Sequence, residues 1–125
     1  AEKQAVLSDE RKASPPKAKP ITDIFASVVK SKNGSEYCQV TFTVKDEFFP
    51  KKMPLMFGHP TAHSMAVRKW KKITAKWGSP SQPWMAAELI NSGAFDTISE
   101  IIVQKQGKYE NVVGIKTKQN EDITL

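Results

Sequence analysis

An Asn-Gly pair between two strand-like segments constrains the fold of this chain more than any other feature. Asn33 and Gly34 accept the positive φ angles of a type I′ turn, which connects neighbouring antiparallel strands. After this turn the side chains alternate with a period of two, the apolar set being Cys38, Val40, Phe42 and Val44 and the other set Tyr37, Gln39, Thr41 and Thr43. The pattern predicts a hairpin whose second strand buries the Cys38 set and leaves the Tyr37 set wet or bound to a ligand.

The strand before the turn has apolar residues in both of its alternating sets of side chains. Its two alternating sets are Ile24, Ala26 and Val28 on one side and Phe25, Ser27 and Val29 on the other. Apolar residues on both sides predict a strand that is covered on both faces, as in a closed barrel.

Later segments complete the predicted fold. A shorter strand at residues 53–57 is interrupted by proline, which is typical of an edge strand. Apolar residues then recur at helical spacing and predict a helix that starts at Pro60 and stops at Gly78. The apolar stripe is Ala66, Trp70, Ile73 and Trp77, so Trp70 and Trp77 are expected in the core. A short second helix at residues 84–90 follows, and then a hairpin of residues 96–104 and 108–117.

The order of these elements is typical of one fold. A five-stranded barrel with one main α-helix between strands 3 and 4 is the oligonucleotide-binding (OB) fold, so the predicted fold class is all-β with a helical insertion. We expect residues 1–20 to form a flexible arm, residues 21–118 the OB-fold domain, and residues 119–125 a short acidic tail that frays.

Basic residues are concentrated in one part of the chain. The 125 residues include 19 Lys and Arg against 13 Asp and Glu, a net charge of +6. Between Lys45 and Trp77 eight basic residues stand against two acidic ones, so this stretch alone carries the whole net charge. A solvated helix face explains some of these lysines, but the clustering favours a polyanionic partner such as a nucleic acid.

Cysteine usage and hydropathy indicate the compartment. Cys38 is the only cysteine, so no disulfide can form within the chain, and we expect a reducing compartment such as the cytoplasm. No apolar run reaches the roughly 20 residues of a membrane span, and the first residues lack the apolar segment of a signal peptide. We therefore expect a soluble intracellular protein with no membrane partner.

The sequence contains no recognisable set of catalytic or metal-binding residues. His59 and His63 are four residues apart, but Pro60 interrupts their spacing and no second cysteine completes a zinc site with Cys38. We expect both histidines to cap or flank the main helix. No nucleophile has a base and an orienting group at hand, and no phosphate-binding glycine loop is present. The prediction is a protein that is not an enzyme and that uses no cofactor or metal.

Ten residues combine charges with aromatic rings, which is how proteins hold single-stranded nucleic acid. We expect bases to stack on Tyr37, Phe48, Phe49 and Tyr109, with one of the two phenylalanines also packing in the core. We expect phosphates to contact Lys45, Lys51, Lys52, Arg68, Lys72 and Lys108. Cross-strand packing is an alternative role for Tyr37, and the sequence does not decide whether Trp84 packs in the core or contacts a partner.

Three segments carry a resemblance to a known family. They are Ser31-Lys32-Asn33-Gly34-Ser35-Glu36 leading into Val40-Thr41-Phe42-Thr43-Val44, residues 66–77 with Gly78, and Gly107-Lys108-Tyr109-Glu110-Asn111-Val112. In their order and spacing, over residues 21–118, the chain resembles the small OB-fold proteins that bacteriophages encode beside replication and recombination genes. Before the fourth strand it departs from the expected Leu-Ile-Gly, since Leu89-Ile90-Asn91-Ser92-Gly93 stands there. The resemblance implies single-stranded DNA binding without catalysis, in the host cytoplasm.

Taken together, these features predict a single-stranded DNA-binding protein with little sequence preference that supports replication or recombination. Two alternatives stay open. The barrel can bind RNA instead, or it can dock a polymerase, a recombinase or a host factor through Phe48, Phe49 and Trp84. A homodimer, and replication or recombination proteins as partners, also stay open.

Overall fold

The computed structural model describes residues 15–125, which form one antiparallel sheet and two helices. In chain order the elements are β1 (Lys17–Lys30), β2 (Glu36–Val44), β3 (Lys51–Leu55), α1 (His63–Ile73), α2 (Pro83–Leu89), β4 (Ile98–Gln106), β5 (Tyr109–Thr117) and β6 (Asp122–Thr124). A π-helical turn at Ile90–Ala94 continues α2. The main helix lies between β3 and β4 as the sequence predicts, but residues 15–125 contain six strands instead of five.

β1 belongs to both halves of the sheet. The strand order is β3-β2-β1-β4-β5-β6. Residues 17–20 pair with β4, and from Ile21 onward the strand pairs with β2. The register shifts between Ile21 and Asp23, and such an irregularity bends a strand. One long strand therefore passes from one half of the sheet to the other.

Within the described residues, strand pairing does not close the sheet into a barrel. Their backbone hydrogen bonds leave β3 and β6 at the two edges of an open sheet. The physical reason lies in both edges. β6 occupies the second edge of β5 from Gly114 to Lys116, and β3 has only five residues, of which Pro54 has no N–H to donate.

The alternation in β2 confirms the predicted core face. Cys38, Val40, Phe42 and Val44 are all buried. Thr41 is the exception on the opposite face, since it is only 4% exposed. It lies directly across from Phe25 in β1 and Lys52 in β3, and these two side chains are positioned to cover it.

The prediction that β1 is covered on both faces is wrong. Ala26 is its only buried residue, and Phe25 and Val28 are exposed. Ile24 is half-buried and packs against the core. The prediction fails for Phe25 because it lies on the face opposite Ala26 and Val40, which pack in the core.

α1 buries the predicted stripe but is shorter than predicted. Ala66, Trp70 and Ile73 are buried, and Trp70 packs against the ring of Phe95. The helix ends at Ile73 because Thr74 adopts an extended conformation. Trp77 therefore reaches the edge of the core from a loop, where its carbonyl oxygen accepts a hydrogen bond from Trp70 Nε1 at 3.0 Å.

Both predicted flexible ends need correction. Residues 17–20, assigned to the arm, are paired with β4, whereas residues 1–14 lie outside the described part of the chain. The tail does not fray into a free end, because it forms β6 and packs Ile123 and Leu125 against the core. Within the described residues, no helix is long and apolar enough to cross a membrane.

Candidate nucleic-acid interface

The structure distributes the ten predicted site residues over three places. Around the β2–β3 loop and the β4–β5 turn lie Lys45, Phe48, Phe49, Lys51, Lys52, Lys108 and Tyr109. Tyr37 lies at the other end of β2, about 16 Å along the strand from Phe42. Arg68 and Lys72 lie on α1. The first group is therefore the only large cluster of predicted site residues in the described chain, and we call Phe48, Phe49, Lys108 and Tyr109 the loop end.

Ion pairs show that the β2–β3 loop and the β4–β5 turn are neighbours. Lys51 Nζ lies 2.6 Å from Glu110 Oε1 and 3.6 Å from Glu47 Oε1. Lys19 Nζ contacts the same two carboxylates, at 2.8 Å from Glu47 and 3.3 Å from Glu110. This four-residue network joins β1, the β2–β3 loop, β3 and β5.

One predicted phosphate contact, Lys51, already forms ion pairs within this network. The hydrogen bond from Lys51 is the main cause that holds the pKa of Glu110 below its ordinary value, and a hydrogen bond to Glu47 raises the pKa of Lys19. The Lys51 ammonium thus already faces two carboxylates. By contrast, no ion pair within residues 15–125 engages Lys45, Lys52 or Lys108.

Three aromatic rings are exposed at the loop end. Phe48 is 92% exposed, Phe49 73% and Tyr109 65%. The two phenylalanine rings pack edge to face with centroids 5.0 Å apart, and Lys108 Nζ lies 5.5 Å from the centroid of the Tyr109 ring. The expectation that one phenylalanine packs in the core is therefore wrong, because both lie in a loop that extends past the end of the sheet.

A second surface continues from the loop end along the sheet. We call it the outer face, the side of β1–β3 away from the core, and it carries Phe25, Tyr37, Gln39, Thr41 and Lys52. Phe25, 46% exposed, and Lys52 flank Thr41 in one cross-strand row, so a ring and a cation lie on the two sides of this residue.

Sequence reasoning missed Phe25 because it treated both faces of β1 as apolar. A signal was available, since Asp23 and Ser27 share the alternating set of Phe25 and are polar, whereas Ile24 and Ala26 in the other set are not. Parity therefore assigns Phe25 to the wet side of the sheet.

The helix residues among the predicted site residues lie elsewhere. Lys72 Nζ donates a hydrogen bond to the carbonyl oxygen of Thr124 at 3.0 Å, which ties α1 to β6. Arg68 is exposed on the same helix. Trp84, also exposed, lines a cavity beside the β1–β2 turn with Ser35 and His59. It is about 30 Å, the length of β2, from the β2–β3 loop, so it does not form one patch with the phenylalanines.

The histidines stabilise the turn before α1. His59 Nδ1 accepts hydrogen bonds from the backbone N–H groups of Thr61 and Ala62, and His63 Nδ1 accepts one from Gly58. This confirms that the histidines flank the helix, although no side chain in the described part of the chain caps it. Cys38 is fully buried, and burial raises the pKa of its thiol to about 12. Within residues 15–125, no three His, Cys, Asp or Glu side chains are grouped closely enough to hold a metal ion.

Comparisons with protein-family models, curated proteins and solved structures found no match to this chain.

Proposed function

We propose that this chain is an OB-fold protein that binds single-stranded DNA with little sequence preference and without catalysis, in replication or recombination. The strand order β3-β2-β1-β4-β5, with β1 shared by both halves and α1 after β3, supports the fold assignment. The Lys51–Glu110 pair brings β3 close to β5, the two strands that meet in such a barrel. β6 is then an addition to the five-stranded plan.

The exposed rings at the loop end carry the proposal. Phe48, Phe49 and Tyr109 leave apolar surface in water on two neighbouring segments, and exposed rings concentrated at one end of a sheet favour a binding surface. Flat rings accept any base. Replacing one such ring with alanine typically costs about 1–3 kcal/mol of binding free energy for each stacked base. Stacking without base-edge contacts gives affinity without sequence preference.

Cations next to these rings supply the phosphate contacts. Lys108 adjoins Tyr109, and Lys45 lies in the loop that carries both phenylalanines. Lys52 extends the charge onto the outer face beside Phe25. A strand that runs from the loop end along the outer face would meet alternating rings and ammonium groups, which is the combination found in single-strand grooves. We assign phosphate contacts to Lys45, Lys52 and Lys108 and no longer to Lys51.

Fluorescence anisotropy with a labelled oligo-deoxythymidine tests the proposal. We expect binding that weakens with salt, with a slope of log affinity against log salt of about −2, because three phosphate contacts on a single strand each contribute about −0.7. A duplex of equal length is the control and should bind more weakly, since its bases are not available for stacking. No binding at low salt, or equal binding of the duplex, would contradict the proposal.

The same assay separates the two alternatives. An oligo-uridine that binds more tightly than oligo-deoxythymidine would indicate an RNA-binding barrel. The exposed pair Phe48–Phe49 favours protein docking as the second candidate function, because two apolar rings that contact each other above a loop also fit a partner's surface. In that case neither oligonucleotide changes the anisotropy.

A further inference from the structure

A cavity at the C-terminal end of α1 is distinct from the loop end and the outer face. Its volume is about 610 Å³, within the range of roughly 300–1,000 Å³ that is typical of small-molecule sites. Its walls come from residues 71–77, from the connection between the π-helical turn and β4, and from the β5–β6 turn. Two of these wall segments come after β3 and after β5 in the chain. The loop end comes after β2 and after β4, so it lies at the opposite ends of the strands.

The cavity combines a basic rim with an apolar interior. Ile73, Trp77 and Ile123 contribute apolar surface, and Trp77 is half-buried. The rim carries four lysines and two carboxylates, namely Lys71, Lys72, Lys76, Lys118, Asp96 and Glu121. Lys72 is engaged by its hydrogen bond to Thr124, whereas no ion pair within residues 15–125 engages the other three lysines. Four lysines against two carboxylates give the rim a net formal charge of +2.

Hydrogen bonds hold the walls in place. The hydroxyl of Thr97 donates to the carbonyl oxygen of Ile73 at 3.3 Å. Thr117 Oγ1 accepts backbone N–H groups from Gln119 at 3.3 Å and Glu121 at 3.1 Å, which shapes the β5–β6 turn. The bond from Trp70 to the carbonyl of Trp77 fixes the loop that carries the second indole. A site with fixed walls loses little conformational entropy on binding.

We propose that this cavity binds a nucleoside phosphate, either as a free nucleotide or as the terminal nucleotide of a DNA strand. The indole of Trp77 offers a surface for the base, and Lys71, Lys76 and Lys118 offer charges for the phosphate. Asp96 and Glu121 can accept hydrogen bonds from sugar hydroxyl or base amino groups. The concave shape favours a compact anion with one ring over an extended peptide. This inference does not depend on DNA binding at the outer face.

Titration with deoxythymidine monophosphate, followed by amide chemical shifts, tests the site directly. We expect saturable shifts at millimolar concentration in residues 73–77 and 117–123. Thymidine lacks the phosphate and inorganic phosphate lacks the ring, so each should bind more weakly than the nucleotide. Inorganic phosphate that binds as tightly as the nucleotide would overturn the proposal, because the ring would then contribute nothing.

A charge variant with a matched control locates the contact. Lys76→Ala combined with Lys118→Ala should weaken nucleotide binding by about tenfold, since a hydrogen bond to a charged group is lost. Lys30→Ala combined with Lys32→Ala removes the same charge from exposed positions around the β1–β2 turn and should leave the affinity unchanged. Equal affinity of the parent and the pocket variant would overturn the proposal.

Competition experiments identify the source of the nucleotide and keep the two proposals separate. A linear oligo-deoxythymidine with a 5′-phosphate that displaces the nucleotide, when circular single-stranded DNA does not, indicates a strand end. A nucleotide displaced by neither DNA indicates a free ligand. Circular DNA has no ends, so it reports on the outer face alone, and the pocket variant should bind it as the parent does. Failure of nucleotide binding therefore leaves the proposed function intact, and failure of circular DNA binding leaves the pocket intact.

Discussion

Lys51 and Lys52 are consecutive in the chain, but the structure places them in different environments. Side chains alternate along a strand, so Lys51 pairs with the buried Phe42 whereas Lys52 pairs with Thr41 on the outer face. Lys51 enters the ion-pair network with Glu47 and Glu110, and Lys52 stays exposed to solvent. The two lysines therefore have different roles because their side chains lie on opposite faces of β3.

Single alanine substitutions of Lys51 and Lys52 should change different properties of the protein. Lys52→Ala should reduce the steepness of the salt dependence of single-strand binding by about 0.7, because one phosphate contact is lost, and should leave stability unchanged. Lys51→Ala should leave that slope unchanged and lower the free energy of unfolding by about 1 kcal/mol, the scale of a partly exposed ion pair. Salt titration of DNA affinity and urea denaturation measure the two effects. The opposite assignment of effects would show that Lys51 is the phosphate contact.

Aromatic substitutions at the loop end should change affinity without changing the salt dependence. Phe49→Ala and Tyr109→Ala should each cost about 1–3 kcal/mol of binding free energy, because stacking releases no counterions. Met65→Ala removes an exposed apolar side chain from α1 and serves as the control. Ring variants that bind oligo-deoxythymidine like the parent would indicate a merely basic surface.

Glu110 should make stability depend on pH below the ordinary carboxyl range. Its folded pKa lies below the ordinary value of 4.5, so its contribution to stability is present above that value and is lost as the pH falls through the folded pKa. Glu110→Gln should therefore be less stable than the parent at pH 7, and the difference should shrink in acid. Urea denaturation from pH 7 to pH 3 measures it, with Glu36→Gln, an exposed β2 position, as the control. A difference that does not vary with pH would contradict the ion-pair role.

At the scale of elements, two short segments contact β1 and β5 within the strands. The amide of Asn91, in the π-helical turn, donates to the carbonyl of Ala26 at 2.9 Å and accepts its N–H at 2.8 Å. Asn91 belongs to the segment that departs from Leu-Ile-Gly. Its side chain therefore bonds backbone groups of β1 that a neighbouring strand would otherwise pair. Elsewhere in the sheet, β6 approaches β5 closely at Gly114, where an added Cβ would lie 2.8 Å from the carbonyl oxygen of Ile123.

Gly114→Ala should therefore detach β6. The clash is with backbone, so β6 must move, and we expect a loss of about 1–3 kcal/mol in the free energy of unfolding. Amide exchange at Leu125, whose N–H donates to Val113, should accelerate. Gly78→Ala is the matched control, because nothing lies within 4 Å of its added Cβ and its φ is not positive. Unchanged protection at Leu125 in the Gly114 variant would show that the strand pair tolerates a methyl group.

At the scale of the molecule, the basic residues are separated into two regions. Lys45 lies in the β2–β3 loop and Lys52 on the outer face, whereas Arg68 and Lys69 lie on α1 after β3. Clustering in the sequence combined these two groups into one stretch. The fold separates them because β3 carries the chain away from the loop end before α1 begins.

Two double variants with the same net charge should consequently bind DNA differently. Lys45→Ala with Lys52→Ala should weaken binding of circular single-stranded DNA and flatten its salt dependence by about 1.4, two contacts at about 0.7 each. Arg68→Ala with Lys69→Ala should change neither. Anisotropy competition against a labelled oligomer measures both affinities. Equal losses in the two variants would mean that net charge, and not the position of the cations, governs binding.

Local patterns were sufficient for several parts of the fold. The hairpin around Asn33-Gly34, the buried face of β2 and the stripe of Ala66, Trp70 and Ile73 are confirmed. The predicted type I′ turn is wrong, because Gly34 has a positive φ and Asn33 does not. Each of the confirmed features depends on side-chain periodicity or turn chemistry over a few residues, which the backbone expresses wherever a core is available. The same patterns also named Phe48, Phe49 and Tyr109 as site residues, but they left one phenylalanine in the core, whereas both are exposed.

Tertiary structure decided what local patterns leave open. Whether Phe25 is covered depends on which elements pack over β1, and whether the tail forms β6 depends on Gly114 and on core space for Ile123. The role of Lys51 depends on Glu110, a residue 59 positions later in the chain that only the folded sheet brings within 2.6 Å. A sequence pattern reports the faces of a single element, because periodicity is a property of one backbone. Coverage, strand closure and ion pairing are relations between elements, and they exist only once the sheet has brought distant residues together.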